Sequence, residues 1–180
     1  MIGVEKTTAI VTEELQRLKA QIIANMRAAN EVASGRTIQS LKVEKDADGQ
    51  GVALWGRSPF GTLETGRKGG RIPRNFTAII YEWMQNKGVH GTPMPYVRNG
   101  QHKYSSAQER GDWSMAAAVA HTIAISGTKL YRNGGRADIY SNVIPNTIER
   151  IDARISALFD AEVANVIKLN NNPTIIEGNN

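Results

Sequence analysis

The chain has 180 residues, with 22 Lys and Arg against 17 Asp and Glu for a formal charge of +5, and 41% hydrophobic and 22% charged residues. These proportions lie near the globular average and exclude wholesale disorder and collagen-like or mucin-like chains. Cysteine is absent, which removes disulfides, thiolate catalysis and Cys-based zinc or iron–sulfur sites together.

Val11, Leu15, Leu18, Ile22, Met26 and Ala29 recur at helical spacing within Val4 to Ala33, which predicts a long amphipathic helix of about 40 Å. Glu13, Glu14, Arg17, Lys19 and Arg27 fall off that stripe, and Ser34-Gly35 is the stop signal. Two short runs, Ser40 to Lys45 and Gly51 to Gly56, flank the turn signal Asp48-Gly49 and read as a β-hairpin whose second, more apolar strand is expected to be the more central. Residues 57 to 72 are rich in Gly and Pro and read as a loop. Pro73 then opens a helix in which Phe76, Ile79, Ile80 and Trp83 share a face and Lys87-Gly88 is the stop. Packing of this helix on the hairpin through Phe76, Ile80 and Trp83 is expected, so that Trp83→Ala costs about 3–5 kcal/mol.

Val89 to Gly111 reads as a second long loop, and Asp112 as the N-cap of a third helix, Trp113 to Ser126, with a small-residue surface at Ala116, Ala117, Ala120 and Ala124. Beyond the turn signal Asn133-Gly134-Gly135, Pro145 sits near the start of a last helical stripe, Ile144, Ile148, Ile151, Ile155, Leu158 and Val166, running to about Leu169. The predicted fold is therefore α+β: a long N-terminal helix, a small antiparallel sheet with packed helices, and a long C-terminal helix. Residues 1–169 are expected to form a single domain, and the Asn-rich residues 170–180 a flexible tail or an arm ordered by a partner.

The pieces of a catalytic centre do not converge. His90, His102 and His121 fall in two loops and a helix with no metal-site spacing, and no HExxH occurs. Gly66-Arg67-Lys68-Gly69-Gly70-Arg71 departs from a phosphate-binding loop, because Lys68 precedes the glycine pair and Ile72-Pro73 follows it. No catalytic, cofactor or metal residues are assigned, and the protein is not expected to be an enzyme. No stretch approaches about 18 consecutive apolar residues, and Glu5, Lys6, Glu13 and Glu14 break up the first positions, so neither a membrane span nor a signal peptide is expected.

The positive charge is concentrated instead. Arg57, Arg67, Lys68, Arg71 and Arg74 face the single carboxylate Glu64 within one segment. These five are the candidate contacts to DNA phosphate or an acidic partner, and Arg67, Lys68 and Arg71 are expected on an exposed loop, since cations among glycines are not buried without counter-charges. The long helices carry apolar stripes longer than so small a sheet covers, so Val11, Leu15 and Val166 are candidate oligomer contacts.

Ser34-Gly35 with the later Ser40 after a long helix, Leu63-Glu64-Thr65-Gly66-Arg67 after a hairpin, and Ile79-Ile80-Tyr81-Glu82-Trp83-Met84-Gln85-Asn86-Lys87-Gly88 in the following helix occur in that order. The order resembles the tail-completion, or neck, proteins of tailed bacteriophages, which join the head connector to the tail. The stretches Ile125 to Tyr131 and Asp138 to Ser141 are similar to later parts of such proteins, and the resemblance spans roughly Ala33 to Ile148. It implies a connector-type virion protein, assembled in the host cytoplasm into a ring of about six or twelve copies. Its partners would be the portal or connector and the tail proteins, with non-specific contact to packaged DNA and no membrane. The alternative is a sequence-independent DNA-binding protein using the basic Gly-rich loop.

Overall fold

The structure, a computed structural model, describes residues 2–49, 51–95 and 103–170. It is α+β. In chain order the elements are α1 (Ile2–Ala28), α2 (Arg36–Gln39), β1 (Lys42–Lys45), β2 (Val52–Trp55), a 3-10 turn (Ser58–Gly61), α3 (Thr62–Thr65), α4 (Phe76–Lys87), α5 (Ala107–Ser126), α6 (Lys129–Arg132) and α7 (Ile144–Asn170). The tail read as flexible lies, beyond Asn170, outside the described residues, as do His102 and the middle of the second loop.

The long first helix ends earlier than its stripe suggests. Asn30 takes a left-handed conformation (φ 55°), which breaks the helix before Ser34-Gly35 is reached. β1 and β2 pair antiparallel with Lys42 opposite Trp55 and Lys45 opposite Val52. Among the described residues the sheet has two strands, so neither is central, although β2 is the better covered. The segment read as one loop after the hairpin contains the 3-10 turn and α3 before the chain opens out at Gly66.

Among the described residues, two apolar cores result. Leu18, Ile22 and Met26 of α1 meet Leu41 and Ile139 in the first, with Leu15, Leu54, Phe60 and Leu63 packed around them. Phe76, Ile80 and Met84 of α4 meet Ala116 and Ala120 of α5 in the second. The expected packing of α4 on the hairpin is therefore corrected: α4 packs on α5. The small Ala116 and Ala120 let the two helices approach closely, whereas α1 already covers the hairpin. The buried row of α4 is Phe76–Ile80–Met84 at i, i+4, i+8, and Trp83 stands on the flank with 44% of its surface exposed.

The third helix also starts earlier than read. Ser106 caps it by accepting the Glu109 backbone N–H at 3.0 Å, and the Glu109 carboxylate turns back to the Ser105 N–H at 2.6 Å. Asp112 is thus not an N-cap but a buried residue one turn inside. Chain 91–93 crosses α5 at this level, where a Cβ on Gly91 would collide with the Gly111 backbone and one on Gly111 with Thr92.

α1 and α7 lie antiparallel. Lys6 pairs with Glu162 at 3.1 Å near one end, Glu14 with Arg150 and Arg154 at 2.9 and 2.7 Å midway, and Asn25 Nδ2 donates to the Ile139 carbonyl at 2.9 Å near the other. Among the described residues no helix is long and apolar enough to cross a membrane.

Candidate functional site

The motif segment Leu63 to Arg67 organises a junction. Glu64, on the one-turn α3, is buried and its Oε1 accepts the backbone N–H groups of Ile139, Tyr140 and Ser141 at 2.8, 2.6 and 3.0 Å. Its Oε2 accepts the Ser141 hydroxyl. Burial pushes the carboxyl up, but these four donors outweigh it and hold Glu64 below the usual carboxylate range. Two residues on, Gly66 has φ 67° and lies so close to α6 that a side chain would strike Tyr131 and Thr128. Arg67 N–H donates to Thr128 Oγ1 at 2.9 Å while the Thr128 N–H returns to the Arg67 carbonyl at 2.8 Å, and the Thr128 hydroxyl also caps α6. One Glu-x-Gly sequence therefore seats α3 on the approach to α7 and on α6.

Trp83 divides two hollows. One, of about 640 Å³, lies between α4, α5 and α6, with apolar walls from Ile80, Val119, Ile123 and Leu130 and with Arg67, Lys129, Arg132 and Glu31 around it. The other, of about 360 Å³, runs along α4 to Ser34, Gly35, Arg57 and Leu63. Arg36 pairs with Glu82 at 2.5 Å, and Lys87 Nζ donates to the Asn30 carbonyl and, at 3.0 Å, to its side-chain oxygen. Of the stretches that carry the resemblance, Ser34-Gly35, Leu63 and Trp83 with Asn86 line this second hollow, whereas Gly66 lines the first, so that among them Trp83 borders both.

The basic residues do not act as one group. Arg57, Lys68, Arg71 and Arg74 are exposed, Lys68 and Arg71 on a loop as expected, while Arg67 on the same loop is half-buried. Its guanidinium lies 5.2 Å from the centroid of the Phe76 ring and donates from Nη2 to the Arg71 carbonyl at 2.7 Å. The stacking and the loop carbonyl give Arg67 a place in the protomer that charge counting does not suggest. The Gly70 N–H donates to the Ala124 carbonyl at 2.7 Å, fastening the same loop to the end of α5.

Of the candidate oligomer contacts, Val11 and Leu15 are half-buried, and Leu15 packs against the first core. Val166 is 56% exposed, together with Ile148 at 60%, Phe159 at 50% and Val163 at 58%. At about 100° per residue these and half-buried Ile155 form one stripe, roughly a quarter turn from the side of α7 that carries Thr147 and Leu158.

Glu14 is buried between α1 and α7. Hydrogen bonds from Arg150 and then Arg154 hold its carboxyl below the ordinary range against the opposing effect of burial. Asp112 accepts from the Gly91 N–H at 2.7 Å, Gln108 Nε2 at 2.8 Å and Gln85 Nε2 at 3.0 Å, with His90 Nδ1 at 3.2 Å. Burial pushes Asp112 up, yet these contacts bring it down to about 2. The His90–Asp112 pair resembles a catalytic fragment, but the carboxylate is divided among four partners and orders the 88–92 turn. Among the described residues no group of three or more His, Asp or Glu side chains could hold a metal ion. Comparison with protein families, with curated proteins and with solved structures gives no match.

Proposed function

We propose that this chain is a structural subunit of a tailed-bacteriophage virion, repeated as a ring at the head–tail junction, where it joins the portal or connector to the tail around the DNA channel. The observation that carries this reading is the stripe Ile148–Ile155–Phe159–Val163–Val166 on α7. It extends for about 27 Å by helical rise on a face that α1 does not cover, as a repeated lateral contact requires. A second support is that the motif stretches border the two hollows on either side of Trp83, Gly66 in one and Ser34-Gly35 with Leu63 in the other. Catalysis has no role in the proposal. The virion is the proposed location, and Lys68, Arg71, Arg74 and Arg57 the proposed contacts to packaged DNA or to an acidic neighbour.

Native mass measurement on the purified chain, alone and with the portal protein added, tests it. A closed oligomer of about six or twelve copies is expected. Phe159→Asp with Val166→Glu should leave a folded protein, judged by circular dichroism, that no longer assembles. A chain that is monomeric under both conditions and binds duplex DNA through Lys68 and Arg71 would instead establish the DNA-binding alternative.

A further inference from the structure

We propose that the 640 Å³ groove beside Trp83 receives the segment Pro173–Glu177 of a neighbouring copy, an exchange that rests on the ring reading above and specifies one of its contacts. The chemistry matches on both sides. The groove walls are apolar, at Ile80, Val119, Ile123 and Leu130, and Arg67, Lys129 and Arg132 border them with one carboxylate, Glu31, which is paired with Arg136 at 3.0 Å. Pro173-Thr174-Ile175-Ile176-Glu177 places two adjacent isoleucines directly before a carboxylate, in a stretch otherwise made mainly of Asn and Gly. The groove holds two isoleucine side chains with their backbone, and Glu177 then falls where the cations are. Arg67 adds an independent sign of an incomplete site, because its Nε is buried without a hydrogen-bond acceptor.

Reach decides between a chain's own groove and its neighbour's. α1 and α7 are antiparallel with Lys6 beside Glu162, and Glu31 of the groove lies past the opposite end of α1. Helical rise puts about 33 Å between Lys6 and the end of α1, and α7 continues about 12 Å further away from Glu162 to Asn170. The end of α7 therefore stands about 45 Å from Glu31. Six residues carry Ile176 at most about 21 Å from Asn170. A chain cannot fill its own groove with this segment, so any occupant segment comes from another copy.

Because the chain has no cysteine, introduced thiols report proximity without background. Thr122, which is exposed and borders the groove, is replaced in one sample (Thr122→Cys) and Ile176 in another (Ile176→Cys). Each is checked for assembly by native mass, and the two are mixed and oxidised with copper phenanthroline. The expected result is an intersubunit dimer on a non-reducing gel, and a ladder up to the ring size when one chain carries both changes. Glu177→Lys should weaken assembly about tenfold, and Arg132→Glu added to it should restore most of the loss, which a merely structural role would not do. Rings that form normally but give no cross-link, or that cross-link Thr122→Cys to Phe159→Cys instead, overturn the segment exchange and leave the ring reading intact. A chain that never assembles and gives no intersubunit product overturns both.

Discussion

Buried carboxylates hold both halves of the molecule, but over very different spans of chain. In the α1–α7 half, Glu64 grips residues 75 to 77 positions away and Glu14 meets Arg150 across 136. In the α4–α5 half, Asp112 gathers Gln85, Gly91 and Gln108 from within 27 positions. The first half closes only when distant parts of the chain have met, so it bears the larger loop-closure cost, while the second assembles from near neighbours. Local unfolding should therefore begin where α7 leaves α1, and the α4–α5 pair should protect its amides longest.

The sharpest way to break this comparison is Glu64→Ala. Three backbone donors and a hydroxyl lose their acceptor inside the fold, and a loss of about 3–5 kcal/mol is expected in urea unfolding. A loss under about 1 kcal/mol would mean that the 139–141 turn stands without it. Glu14→Ala comes next, at about 2–3 kcal/mol. Arg150 and Arg154 are partly exposed and recover water when their partner goes, which limits the cost. Hydrogen exchange should then accelerate in α7 and leave α5 unchanged.

Asp112 gives the third test. Its folded value of about 2 lies below the ordinary 3.8, so its contribution is present above pH 3.8 and is lost as pH falls through 2. The shift corresponds to about 2 kcal/mol. Thermal unfolding of Asp112→Asn should thus differ from the parent at pH 7 and converge with it toward pH 2. A constant difference would place the effect in packing rather than in charge. Smallest of all, Trp83→Ala should cost about 1 kcal/mol or less, since the ring sits on the flank of α4. A loss of several kcal/mol would return Trp83 to the interior and erase the groove.

That last reversal shows what periodicity carries and what it does not. The stripes of α1, α4 and α7 were legible because 3.6-residue spacing is local, and Lys87-Gly88 marked the end of α4 because Gly88 takes the left-handed cap (φ 64°). Which neighbour α4 would choose is not local. Trp83 shares the helix face of Ile80 by sequence alone, and only the alanine surface of α5 separates the buried row from the flank. Ser106-x-x-Glu109 was an available capping signal, masked by Gly111 one turn later. Glu14 carried no signal, because an acidic residue off the apolar stripe reads as a solvated one until Arg150 and Arg154 arrive from the far end of the chain. At the candidate site the sequence marked Glu64, Gly66 and Trp83 through resemblance, and the place of Trp83 between the two hollows through nothing local.

The attachment of Arg67 to Phe76 and to the Arg71 carbonyl sets a ceiling on how the basic segment answers to ions. A cation already spent inside the protomer displaces no counterion when phosphate arrives, so the charge that counts for nucleic acid is smaller than the charge that is written. With Arg67 withdrawn, Arg57, Lys68, Arg71 and Arg74 are the exposed cations of the segment. The logarithm of any duplex-DNA affinity they confer should then fall against the logarithm of salt concentration with a slope no steeper than about −3.6 per subunit engaged.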